Sequence, residues 1–210
     1  MGEKISEIEY AHYTSRFGPN MFYGLIEVIE SNIKDYNNLV CHDYPEGNVS
    51  STKKDYIDAT VFEIAVSMSY TNLHSFFVEE YNFYVEGKKP KHLKTVISKL
   101  IECHGIEVQD QSKFLRGLEL LRRLRNRICH DIGRVESDMG DFGGDSDFDL
   151  KKECDKFFGA EFFYNEKSYF TSSPENSVRL VKYFSNFVVK YCDAVVDKKS
   201  SLRECTSVSA

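Results

Sequence analysis

Residues 121–133 read LRRLRNRICHDIG. Four arginines fall between positions 122 and 127 of a chain of 210 residues whose formal net charge is −6. The apolar positions among them settle the local structure. Together with Phe114 upstream, Leu121, Leu124, Ile128 and Ile132 recur at helical spacing, which gathers them on one side of an α-helix and would scatter them over both faces of a strand. The spacing predicts a helix from about Asp110 to Ile132, stopped by Gly133.

The same period runs outward in both directions. A first helix is predicted after Asn20, through MFYGLIEVIESNIKDYNNL, with Phe22, Leu25, Ile29 and Ile33 on one face. The Pro, Gly, Asn and Ser content of residues 41–54 marks a loop. A second helix is predicted from Asp55 to about Val85, ended by Gly87. A third has Pro90 in its first turn, Leu93, Ile97, Leu100 and Ile101 as its face, and Gly105 as its end. Residues 136–149 hold six acidic side chains, three glycines and no basic residue, the composition of an acidic loop. A short helix from Leu150 to Phe158 follows, and FFYNEKSYF (162–170) alternates and turns like a small β-hairpin. The last helix takes Ser173 as N-cap and Pro174 at its first position, and carries Val181, Phe184, Val188, Tyr191 and Val195. Long amphipathic helices bury their stripes against one another, so the expected fold is all-α. It is an antiparallel bundle of four to five helices over 20–197, with an N-terminal extension (1–19), a disordered tail (198–210), and the acidic loop and hairpin between the last two long helices.

Composition narrows the class. Hydrophobic residues at 41% and charged residues at 29% are those of a globular chain. The opening MGEKISEIEYAHYTS has no apolar run and resembles neither a secretory signal nor a transit peptide, and no apolar span long enough for a membrane follows. A cytoplasmic protein without a membrane partner is expected. The six cysteines are scattered and read as reduced thiols. Cys41-His42, Cys103-His104 and Cys129-His130 suggest zinc at first sight. Adjacent helical residues point about 100° apart, however, and the short spacing of zinc ligands is absent, so no metal or other cofactor is expected.

Between Lys113 and Arg134 seven basic residues face Glu119 and Asp131, a local net charge of +5 that leaves about −11 on the rest. Such a face either binds a polyanion or is a solvated helix side paired with acidic neighbours. Arg125 is distinctive because it falls roughly 30° from the centre of the apolar seam. A guanidinium does not shed its charge on burial, so it needs an acidic partner, backbone carbonyls or a phosphate. Asn126 and His130 share a side at i and i+4, where the amide could set the imidazole's orientation. Arg125 and His130 are about 140° apart on an ideal helix. Either the helix loosens just before Gly133, or a second subunit completes the site in trans.

The run Arg125-Asn126-Arg127-Ile128-Cys129-His130 resembles the Arg-x4-6-His motif of the HEPN superfamily, including the polar residue after the arginine. That family is an antiparallel helical bundle with the motif near the end of a late helix. The resemblance implies a metal-independent endoribonuclease of toxin–antitoxin or antiphage, abortive-infection systems, acting as a homodimer with a composite active site. Its catalytic residues would be Arg125, Asn126 and His130. Arg116, Arg122, Arg123 and Arg127 would hold the RNA, and an antitoxin or companion defence protein is a further expected partner. The family variant modified on a tyrosine two residues after the histidine is not matched, because Asp131 and Ile132 follow His130 here.

The acidic loop is either a solubilising segment or an electrostatic competitor of RNA. Asp145, Asp147 and Asp149 lack the glycine and terminal acid of a calcium loop. His74, Glu79 and Glu80 are placed to face the motif helix, where an acid could hold Arg125. Cys129 reads as a packing residue. The alternative to a nuclease is a catalytically silent bundle that binds nucleotide, nucleic acid or a partner protein.

Overall fold

Reciprocal hydrogen bonds between Ser6 and Glu9 decide where the first helix begins. In the computed structural model the Ser6 amide and hydroxyl donate to the Glu9 carboxylate at 2.9 and 2.6 Å, and the Glu9 amide donates back to Ser6 Oγ at 3.4 Å. This capping box satisfies the first backbone donors, and α1 runs from it over Glu7–Leu39. The expected start after Asn20 is thereby corrected, and most of the supposed extension is helix. Pro19 lies inside α1, where it removes a backbone hydrogen bond at a cost of about 3 kcal/mol. Packing carries the helix through. Ala11, Phe22, Leu25, Ile26 and Ile29 are buried, and a β-carbon on Gly18 would stand 2.6 Å from Phe76 and 3.1 Å from Val188.

The structure describes residues 6–39, 53–131, 147–159, 162–163 and 172–207, with side chains for 6–31, 58–128, 150–159, 162–163 and 172–202. After α1 come α2 (Lys53–Tyr84), α3 (Leu93–His104), α4 (Gln111–Asp131), α5 (Asp147–Phe158) and α6 (Pro174–Ser207). The described residues are helical with no strand. Of the expected hairpin only Phe162 and Phe163 are described, and they are buried without being a strand; its remainder lies outside the described residues. So does the acidic segment up to residue 146, while its last three positions belong to α5.

Helix ends follow local chemistry. Gly105, at φ 59°, closes α3 with its N–H on the Glu102 carbonyl, while Ile106 N–H reaches Ile101. The helix starts at Leu93, beyond Pro90, and His92 in the capping position makes no side-chain cap. Ser173 Oγ accepts from the Asn176 amide at 3.1 Å, and Pro174 is the first residue of α6. The expected tail from 198 is corrected, since α6 continues to Ser207 and Lys199 pairs with Glu7 while lying over the Tyr84 ring.

Long-range contacts give the directions. Glu7 meets Lys199 and Glu30 meets Lys182, so α1 and α6 are antiparallel. Asn72 Nδ2 donates to the Met21 carbonyl at 2.8 Å and Phe83 stacks on Tyr10, so α1 and α2 are antiparallel too. Phe114 stacks on Phe187 while Lys190 pairs with Asp110. The core is a column of aromatic and aliphatic side chains: Phe22, Phe62, Phe77, Phe114, Phe184 and Tyr191 are all fully buried.

Candidate nucleic-acid interface

The face of α4 toward the core is the one its periodicity selects. Phe114, Leu121, Leu124 and Ile128 are buried, as are Leu118 and Leu120. Gly117 brings α4 close to its neighbours, for a β-carbon there would meet Phe157 at 2.9 Å and Tyr183 at 3.0 Å. This packing fixes the rotation of α4 and hence the edge on which its arginines stand.

Arg125 is half-buried at that edge. Its guanidinium carbon lies 5.8 Å from the centre of the Tyr70 ring on α2, and Nη1 donates to Asn126 Oδ1 at 3.3 Å. Among the described residues no carboxylate accepts from it. The expected acid on α2 is not the partner. Glu80 is fully buried and turned toward α1 and α6, where Tyr191 Oη donates to it at 3.2 Å; Glu79 is exposed. The α2 residues at this edge are Tyr70 and, one turn on, exposed His74, whose rings stack 6.5 Å apart. Partial burial and Lys89 lower the His74 pKa and favour its neutral ring. Tyr70 was not singled out in the sequence, where an aromatic on a long helix reads as core; its i, i+4 relation to His74 was the available signal.

The other arginines divide. Arg122 grips Glu119 through two nitrogens, Nε to Oε2 at 3.0 Å, and their hydrogen bond lowers the Glu119 pKa. Arg123 Nη1 binds Glu153 Oε2 of α5 at 2.9 Å. Arg116 is exposed and Arg127 half-buried. Arg125 and Asn126 are therefore in contact, while Arg122 and Arg123 point to carboxylates. The His130 backbone is helical, but its side chain, like those of Cys129 and Asp131, lies outside the described residues. Because α4 stays helical through Asp131, its backbone does not swing His130 round to Arg125.

Among the described residues no group of three or more His, Cys, Asp and Glu is placed to hold a metal ion. Nor is any described helix long and apolar enough to cross a membrane. Cys103, Cys154 and Cys192 are unbridged thiols. Comparison with protein-family models, with characterised proteins and with solved structures returns no match.

Proposed function

We propose that this chain is an endoribonuclease that cleaves RNA by attack of the 2′-OH on the adjacent phosphate, leaving a 2′,3′-cyclic phosphate and a 5′-OH. The observation that carries the reading is Arg125. Its guanidinium is half-buried over Tyr70 with no carboxylate partner among the described residues, and a phosphate oxygen is the acceptor that matches its charge and planar fork. In this reading Arg125 stabilises the charge of the phosphorane, Asn126 orients the guanidinium it already touches, and His130 moves protons. RNA supplies its own nucleophile, so the reaction needs no metal-bound water.

The unbroken helical backbone of α4 through Asp131 supports a site completed in trans, with two protomers each contributing an arginine and a histidine to one cleft. Two imidazoles then share the acid and base work. The resemblance of the motif to HEPN ribonucleases supports a toxin or antiphage role for such an enzyme. Incubation of the purified protein with structured RNA in EDTA tests the reading: cleavage to cyclic-phosphate ends, lost in Arg125→Ala and in His130→Ala, is the expected result. Intact RNA would sink it.

A second reading has one observation behind it. Arg122 and Arg123 are already neutralised by Glu119 and Glu153, as in a silent helical module whose basic run is structural. That module would leave RNA uncut and be indifferent to substitution of Arg125.

A further inference from the structure

A cavity of about 250 Å³ opens one helical turn from Arg125. Its walls come from three helices: Tyr70 of α2, the stretch from Lys91 to Thr95 that leads into α3, and Leu118, Glu119 and Arg122 of α4. Tyr70 thus forms a wall of this space and also lies beneath the Arg125 guanidinium. The two features are joined by one ring.

The charge on the cavity wall is unbalanced. Lys91, Lys94 and Arg122 face a single carboxylate, Glu119. Glu119 is already bound through both oxygens by Arg122 and is kept ionised mainly by that bond, with Arg123 and Lys94 adding to it. Neither Lys91 nor Lys94 has a carboxylate partner among the described residues, and both are exposed. The two ammonium groups and Arg122 thus share one carboxylate, Glu119, which Arg122 already holds and Lys94 feels only through space, so the recess keeps a net positive charge. Around them Thr95 offers a hydroxyl, and the start of α3 adds backbone donors that the His92 side chain does not cap. Leu93 and Leu118 supply an apolar floor. Such a wall suits a phosphodiester, which brings negative charge and several acceptors to the mouth and can lay a ribose or base edge against Tyr70 and the leucines.

We propose that this cavity is a phosphate subsite for the RNA strand, holding the phosphate next to the one gripped by Arg125. The assignment rests on the ribonuclease reading and names where the strand runs, from Arg125 across Tyr70 to Lys91 and Lys94. It adds both lysines to the RNA-contacting set as positioning residues that hold the strand while Arg125 meets the scissile group.

Binding and cleavage are measured apart. Wild-type protein and the double variant Lys91→Ala/Lys94→Ala are titrated with a short fluorescent 2′-O-methyl RNA, which lacks the nucleophile and stays intact. Lys99→Ala, an exposed lysine farther along α3, is the control. Expected is a tenfold or greater rise in Kd for the double variant alone, with a salt slope shallower by about 0.7 for each lysine removed. Unmodified RNA should show the same change as a raised KM with kcat little altered. Unchanged Kd and slope overturn the subsite even if the enzyme cleaves RNA. Loss of AMP or pyrophosphate binding with RNA binding intact also overturns it, since the cavity would then serve a free nucleotide. If wild-type protein binds the 2′-O-methyl strand through the lysines yet never cuts ordinary RNA, the subsite stands and the nuclease reading fails.

Discussion

Arg125 owes its interest to the combination of position and partner. A guanidinium half-way into a helix interface is normally met by a carboxylate; here it is met by a tyrosine ring and a neighbouring amide. Cation–π contact of this kind contributes on the order of 0.5–1 kcal/mol at a partly exposed site, enough to orient the fork without occupying its hydrogen-bond donors. Arg125→Ala is therefore expected to lower kcat for RNA by at least about 100-fold, and Arg125→Lys to recover little, because an ammonium keeps the charge but loses the fork. Tyr70→Phe should cleave almost as wild type while Tyr70→Ala falls well below it, a comparison that single-turnover rates would provide. If the phenylalanine variant is as damaged as the alanine one, the ring is not what matters. Two further side chains at this scale bear on stability. Burial raises the Glu80 carboxyl from 4.5 to about 7, against hydrogen bonds from Tyr191 and Thr14 that lower it, while Glu79 adds to the rise. Burial lowers His104 from 6.5 to about 4, with Lys199 in the same sense and Glu7 opposing. Between pH 4.5 and 7 the unfolded chain gives up a proton that folded Glu80 retains, so stability falls as pH rises. Between pH 6.5 and 4 the unfolded chain takes up a proton that folded His104 refuses, so stability falls as pH drops. Across its window the Glu80 effect sums to on the order of 3 kcal/mol, that of the less enclosed His104 is smaller after solvent screening, and the two oppose each other where they overlap. Urea denaturation across pH 4.5–6.5 should find Glu80→Gln gaining stability with pH and His104→Gln losing it, relative to wild type.

At the scale of elements, what holds α4 in rotation is Gly117. Any side chain there must displace two rings, Phe157 and Tyr183, so Gly117→Ala is expected to destabilise by about 1–3 kcal/mol, read as a lowered Tm, even though alanine is the better helix former. Removing the capping box by Ser6→Ala should cost about 1 kcal/mol and fray the start of α1, visible as faster amide exchange confined to its first turns. The sequence was informative where a helix end is a local event. Ser173-Pro174 and Gly105 each carry their own signal and each marks the boundary found. It misled where tertiary contacts overrule a local rule. The first helix was expected only after Asn20, yet α1 starts at Glu7 and runs through Pro19, with Gly18 seating it against Phe76 and Val188. The polar residues after 197 read as a tail, yet Lys199 finds its partner on α1, almost the whole chain away in sequence. The candidate site divides in the same way. The inward tilt of Arg125 was legible from periodicity; that its companion on α2 is Tyr70 rather than Glu80 depends on the relative rotation of two helices, which no single-helix pattern contains.

For the whole molecule the governing quantity is the separation of charge. A chain of net charge −6 that concentrates six of its 27 lysines and arginines on α4 should bind RNA through that edge. Affinity is then expected to fall steeply with salt, log K declining by about 0.7 per log unit of salt for every phosphate neutralised. A slope near zero in titrations at several salt concentrations would leave the basic edge without a polyanion. The antiparallel contacts also set a polarity. Glu7 and Lys199 meet at one end of the bundle. Phe114 lies beside Phe184 and Phe187, and Gly117 beside Tyr183, so the Arg125 end of α4 extends toward the opposite end, where α6 begins. A short peptide joining the outer ends of α1 and α6 would span little distance, so a circularly permuted version, reopened elsewhere, should keep this architecture. A bulky reporter attached beside Glu7 or Lys199 would likewise ride at the far pole, leaving the arginine edge open to a passing strand.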